Sequence, residues 1–554
     1  MKYDGRFWLA GWMGVALIGF SPLSRGAAEP VSVIVDRPTG VESGGRHGEF
    51  SKAFLQGPHA VTRVATYFGG PGAEEFVAAA ALADGRVVAF GNSWGPDFPS
   101  VPSIKVLGKG AHSGQPTLKK DKNGREGVIM NSPDRSGMLV FYDRELRHVE
   151  KAVRFDWGVA SIETGCARKV GKALAIAGRC GPNFQSFLDS VKVRQTIACE
   201  PARKTAAVRQ DAFLAGLSDE GAVEWVVVLE KAGEPPKSFF TDDLGRLWFD
   251  ANGLRRVDAD GGNMIVFNKR AGGSTTAWLG VHPDGNAAWF GGDRNTNTGS
   301  EPYRQPFLYK YGEDDKKLYT LWEPTPRDVG GKAANLQSDS SPRAMAVMHS
   351  GKLLITGWSD GGNTVFACQA LDFHKPATSQ GLGMSPWGMK NANSLSHLMV
   401  IDDRTQHTDA YSSWLAYIPD WFFTPRNRGA PSGTGIGKVL LTEKTGMVVF
   451  CGGAATGLIQ APGCYWKDPK DGAKYSGTYV TILSKDMKQA VFSSYIPGYE
   501  TVSLAVRNDD VIVVGRTAGQ DFRSSNPTAS PIINAAQPKF GGATDGHLIL
   551  LQMP

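Results

Sequence analysis

GGATDGHLILLQMP, residues 541–554, ends the sequence. Its apolar run has the look of a β-strand, yet the chain stops before a hairpin could supply a partner. An unpaired apolar edge invites aggregation, so a distant segment must pair with it. Finding that segment decides the fold.

A search for internal repeats gives one pattern seven times, a Gly-containing turn followed by an apolar strand that ends in a small residue. It appears as LADGRVVAFGN (82–92), RKVGKALAIAG (168–178), DDLGRLWFDAN (242–252), HPDGNAAWFGG (282–292), MHSGKLLITGW (348–358), EKTGMVVFCGG (443–453) and RNDDVIVVGRT (507–517). Such turn letters suit tight hairpins. A second apolar strand follows each, from GMLVFYDREL (137–146) to the terminal DGHLILLQM (545–553). After six of these comes a further strand, such as VEKAVRFDW (149–157) or QAVFSSYIPG (489–498). The seventh is found at the opposite end of the chain, as VTRVATYFGG (61–70).

Four strands per unit and seven units predict an all-β fold, a seven-bladed β-propeller of four-stranded antiparallel blades. The N-terminal strand closes the ring on the C-terminal one, three strands plus one. The 68 glycines fit this helix-poor reading. The propeller is expected to occupy 60–554, with 29–59 a poorly ordered extension. Residues 1–28 read as a signal peptide, with Lys2 and Arg6 ahead of an apolar run from Phe7 to Phe20 and with Gly26 and Ala28 placed for cleavage. That run is short for a bilayer span, and no other segment qualifies. The expectation is an exported protein, periplasmic, cell-surface or extracellular.

ATYFGGPGAEEFVAAAALADGRVVAFGNSWGPDFPS (65–100) resembles the bacterial SBBP propeller repeat, with its Y-x-GG start, acidic pair, DG hairpin and terminal DFP. GRTAGQDFRSSNPTASPIINAAQPKFGGATDGHLILL (515–551) is similar to the same repeat's second half, including FGG-x-TD. The likeness covers the first and last units. It implies a propeller fold in an extracellular protein and no particular reaction.

Sixty basic and 54 acidic residues leave a net charge of +6, too diffuse for nucleic-acid binding. With strands lettered A (innermost) to D (outermost), the long connections are B–C (93–136, 179–210, 292–305, 359–395, 453–476, 517–544) and D–A (324–341, 420–433). In an up-and-down blade both kinds leave from one face, and long loops on a rigid scaffold carry binding. Their aromatic residues are therefore the candidate contacts for a glycan or protein ligand: Trp421, Phe422 and Phe423 with Arg426 and Arg428, then Trp94, Phe98, Trp387, Tyr465 and Trp466. The alternative is a glycan-active lyase or hydrolase using Glu74 and Glu75 at the channel mouth. A second reading of that pair is structural, with the carboxylates accepting backbone N–H groups of the D–A turn, and Glu163 takes the corresponding place in the second unit.

Neither HxH nor HExxH occurs, so no metal and no cofactor is expected. Export permits disulfides. Cys180 with Cys199 and Cys451 with Cys464 would each staple a long loop to its blade, leaving Cys166 and Cys368 as thiols.

Overall fold

The computed structural model describes residues 52–554 except 95–97, 112–117, 121–125, 129–134, 169–173, 192, 200–210, 233–234, 237–238, 252, 268–273, 296–303, 323–335, 337, 361–363, 378–394, 415–434, 456–457, 459, 467–475, 497–498, 518–530 and 542–543. Seven antiparallel blades form the expected ring. In order A to D, blade 1 is Ala73–Ala81, Val87–Trp94, Arg135–Tyr142 and Val149–Phe155; blade 2 is Ala160–Ala167, Leu174–Cys180, Ala212–Leu217 and Val223–Glu230. Blade 3 is Phe239–Thr241, Leu247–Asp250, Leu254–Val257 and Ile265–Val266; blade 4 is Ser274–Val281, Ala287–Asn295, Arg304–Gly312 and Lys317–Leu321. Blade 5 is Ser340–Val347, Leu353–Ser359, Leu395–Ile401 and Thr408–Trp414; blade 6 is Lys438–Leu441, Val448–Ala455, Ser476–Leu483 and Ala490–Ile496.

Blade 7 joins Tyr499–Arg507, Asp510–Thr517 and Asp545–Gln552 to Val61–Phe68 as its strand D. The pairing runs from Val61 opposite Gln552 to Phe68 opposite Gly546, with Val64 facing Leu550 and Thr66 facing Leu548. The terminal strand is thus central in its sheet, between Asp510–Thr517 and Val61–Phe68.

Each blade packs both faces against its neighbours, and the described apolar residues fall into seven clusters, one per junction. This explains why the B strands read as unbroken apolar runs and not as alternation, with Val87 through Phe90 all buried. The small residue that ends each run has a physical cause too. A Cβ on Gly91 would lie 1.9 Å from Glu75 O, and one on Gly178 would lie 1.8 Å from Ser161 O. Strand A passes too close there for any side chain, just where it bulges at Val77 and Glu163.

Packed structure begins before residue 60. Lys52–Leu55 forms a 3-10 turn, and Phe54 is fully buried with its ring 6.5 Å from Trp414. The expected signal peptide lies outside the described residues. Among the described residues, no helix is long and apolar enough to cross a membrane.

The loops do more than decorate one face. Ile104–Leu107 in the first B–C connection adds a fifth strand parallel to strand D of blade 1, and Val193–Ala198 does the same in blade 2. In blade 7, Ile533 and Gln537 bond to the outer edge of Val61–Phe68. In blade 5, the hairpin Cys368–Gln369/Asp372–Pro376 reaches the start of strand D, where Thr408 N–H donates to Gln369 Oε1 at 2.8 Å. These segments wrap the rim and cover edges that would otherwise template aggregation.

That wrapping overturns the expected disulfides, since no two of the six cysteines are bonded. Cys180 ends strand B of blade 2, whereas Cys199 follows the fifth strand, beyond C and D. At about 4.8 Å per strand, three strand steps separate them by roughly 14 Å, beyond any disulfide. Cys451 is buried in strand B of blade 6, while the Ala461–Cys464 turn docks beside strand D through Ala461 N–H and Ser493 O. Alkylating the denatured protein without reductant should therefore label all six positions. A disulfide-linked peptide in the mass map would contradict this arrangement.

Candidate functional site

Strand A begins, strand B ends and strand C begins on the loop-bearing face, so these three termini build the channel mouth. At the junction of blades 7 and 1, Glu74 is fully buried. Gly70 N–H donates to its Oε2 and Ser93 Oγ to its Oε1, both at 3.0 Å. Glu74 N–H donates to Thr544 O at 2.8 Å, and Thr544 Oγ1 donates back to Glu74 O at 3.2 Å. Gln537 ties down the same turn, bonding both the N–H and the carbonyl of Gly69. Asp545 accepts from Gly541 N–H at 2.9 Å. These groups lock the D–A turn to the start of the closing strand, which is the structural role for Glu74. A carboxyl with no exposure presents no acid to a ligand.

Glu75, 6% exposed, accepts from Asn92 Nδ2 at 2.9 Å and lies 3.7 Å from Arg516. Asn92 also bridges to blade 2, donating to Ile162 O and accepting from Ile162 N–H. Register corrects the placing of Glu163. Phe76 faces Gly91 as Ile162 faces Gly178, so Glu163 matches Val77, the bulge residue, and not the Glu74–Glu75 pair.

The bulge turns Glu163 toward two arginines that the sequence reading passed over. Arg135 Nη2 donates to Glu163 Oε1 at 2.5 Å and to Ser161 Oγ at 2.8 Å, while Arg179 Nε donates to Glu163 Oε1 at 3.1 Å. Burial opposes ionisation of Glu163, but the two guanidiniums outweigh it and hold the carboxyl below its ordinary range. Side-chain exposure rises from 15% at Arg135 through 23% at Glu163 to 33% at Arg179. Arg516, 3.7 Å from Glu75, adds a third guanidinium at the described mouth of blades 7, 1 and 2.

GWSDG (357–361) places another constellation at this end of blade 5, with the G-x-S-x-G spacing of a nucleophile elbow. Ser359 Oγ meets His397 Nε2 at 2.7 Å, and Tyr411 OH meets His397 Nδ1 at 3.1 Å. The setting differs from an elbow, because Ser359 ends a propeller strand and both Ser359 and His397 are fully buried. Burial holds the imidazole neutral, its pKa pushed down to about 3. The trio satisfies buried polar groups beneath Phe366, whose ring lies 5.6 Å from His397.

The aromatic candidates divide. Trp421, Phe422, Phe423, Arg426, Arg428 and Trp387 lie outside the described residues. Trp94 is fully buried, with the Arg135 guanidinium 5.7 Å from its ring centre. Phe98 packs 5.8 Å from Phe68, Tyr465 is 9% exposed and bonds Pro531 O, and Trp466 packs 6.1 Å from Tyr495. Trp94 ends strand B of blade 1, and the other three pin their loops to the blades. Among the described residues no group of His, Cys, Asp and Glu could hold a metal ion.

No family model and no curated protein matches the chain. Among solved structures it is similar to a protein of unknown function from Dyadobacter fermentans, at 8% identity over 90% of this chain and 100% of that one, TM-score 0.39. It is also similar to an oligogalacturonate lyase in complex with manganese, at 7% identity over 72% of this chain and 97% of that one, TM-score 0.27. The third is Kuenenia stuttgartiensis hydrazine synthase, at 11% identity over 51% of this chain, TM-score 0.26. That match spans 56% of the hydrazine synthase chain. Likenesses this low add nothing to the reading of the site.

Burial raises the Glu74 pKa to about 8, with Asp545 adding to the rise against the Gly70 and Ser93 hydrogen bonds. A carboxyl whose pKa is raised on folding contributes fully below its unfolded value, near 4.5, and that contribution is lost as pH rises to about 8. Glu74→Gln keeps an oxygen for Gly70 N–H and offers an amino group to Ser93, without titrating. Its stability relative to wild type should therefore increase from pH 5 to pH 8 by an amount on the order of a few kcal/mol. Urea unfolding at a series of pH values reads this out, and a constant difference across the range would contradict it.

Proposed function

We propose that the protein is an exported binding propeller that takes a glycan or protein ligand on its loop-bearing face. The observation that carries this reading is the Arg135–Glu163–Arg179 group, partly exposed at that mouth and held on strands of blades 1 and 2. Guanidiniums held in fixed geometry suit polar recognition, and sites on strands are more exact than sites on free loops. The SBBP-type resemblance of the first and last units supports an extracellular setting. Against the glycan-active alternative, Glu74 is fully buried and Glu75 is 6% exposed.

Arg179→Ala and Lys444→Ala, the latter on the opposite hairpin face, should be compared with wild type on a glycan array and against extracellular protein preparations. The reading expects Arg179→Ala to weaken the ligand found by about tenfold, the worth of a charged hydrogen bond, and Lys444→Ala to leave it unchanged. Loss in Lys444→Ala alone, or turnover of a bound glycan, would overturn it.

A further inference from the structure

Lys438 opens strand A of blade 6, the innermost position, opposite Cys451. Its side chain crosses to strand A of blade 7, where Nζ donates to Ser503 Oγ at 3.0 Å and to Leu504 O at 2.9 Å. Both acceptors are neutral, and among the described residues no carboxylate lies within ion-pair distance. Lys438 is half-buried on the innermost strand of its blade. Burial depresses the ammonium from its ordinary value, with the Cys451 and Cys166 thiols opposing.

The strand A residues at the same level carry no charge, Ala78 in blade 1, Thr164 in blade 2, Leu279 in blade 4 and Ala344 in blade 5. They leave the ammonium as the strongest charge among the described residues of that level. An ammonium has three N–H donors, and two are taken by Ser503 and Leu504. A half-buried cation held by neutral acceptors alone keeps its charge available to an anion.

We propose that Lys438 marks an oxyanion-binding position in the central channel, where the carboxylate or phosphate of a ligand supplies the counter-charge. The guanidiniums of the mouth lie at the entrance on the loop-bearing side and draw such a ligand in. The identity of the ligand rests on the binding function proposed above, but the position itself is testable with small probes.

The probes are D-glucuronate, D-glucose 6-phosphate and neutral D-glucose, titrated calorimetrically against wild type, Lys438→Met and Lys438→Arg. In parallel, mass spectrometry follows acetylation of Lys438 by acetic anhydride in wild type. One or both anions should bind and slow acetylation of Lys438 by about tenfold, with glucose doing neither. Which anion does so tells carboxylate from phosphate. Lys438→Met should lose the binding while Lys438→Arg keeps it. Equal protection by glucose, no protection by either anion, or unchanged anion binding in a Lys438→Met protein with the wild-type urea midpoint would each overturn the proposal. The wild-type acetylation result stands even if Lys438→Met fails to fold. Anion protection with no ligand on the loop-bearing face would remove the function proposed above and leave this site. Loop-face binding with no anion effect would do the reverse.

Discussion

The antiparallel pairing of Val61–Phe68 with Asp545–Gln552 is the constraint on which the molecule depends. Seven apolar clusters are strung round the ring, each shared by two blades. Blade 7 contributes one face to the cluster with blade 6 and the other to the cluster with blade 1. Without the closing pair, Ile549 and Leu551 on one side and Leu548 on the other would lose partners together. Closure is therefore cooperative with two cores, and the polar lock of Glu74, Thr544, Gln537 and Asp545 sits where the two chain ends meet.

The same geometry sorts charges by depth. On the mouth side, Glu74 is sealed, Glu75 nearly so, and Glu163 reaches the surface in company with two arginines. Glu163 stands at the strand-A bulge of blade 2, whereas Glu74 and Glu75 lie in register ahead of the bulge of blade 1. Inside the channel, Lys438 joins two inner strands through neutral acceptors. The scaffold thus spends Glu74 and Asp545 on its own closure, sets paired arginines at the mouth and places one lysine on an inner strand.

The ring was legible because its signal repeats. Tight-turn letters, an apolar run and a terminal small residue recur seven times, and the strand that is absent at one end of the chain appears at the other. What did not repeat was missed. The fifth strands Ile104–Leu107 and Val193–Ala198 are single additions to strand D, and a short run such as IKVL has no distinctive period. Overlooking them led to the Cys180–Cys199 pairing, which sequence distance permits and strand order forbids. Arg135, Arg179 and Arg516 come from different strands and meet only through register, while Lys438 depends on which strand is innermost. GWSDG was visible as letters, but the meeting of Ser359 with His397 needs the B–C pairing of blade 5. Ring-shaped side chains in loops read alike whether they face solvent or pin a loop down, and Phe98 and Tyr465 do the latter.

Hydrogen–deuterium exchange on the intact chain, and on one ending at Thr544, tests the closure most directly. The account predicts that amides of Val61–Phe68 are as protected as those of Asp545–Gln552, and that removing 545–554 strips protection from Val61–Phe68. Fast exchange across Val61–Phe68 in the intact protein, or protection that survives the truncation, would contradict it.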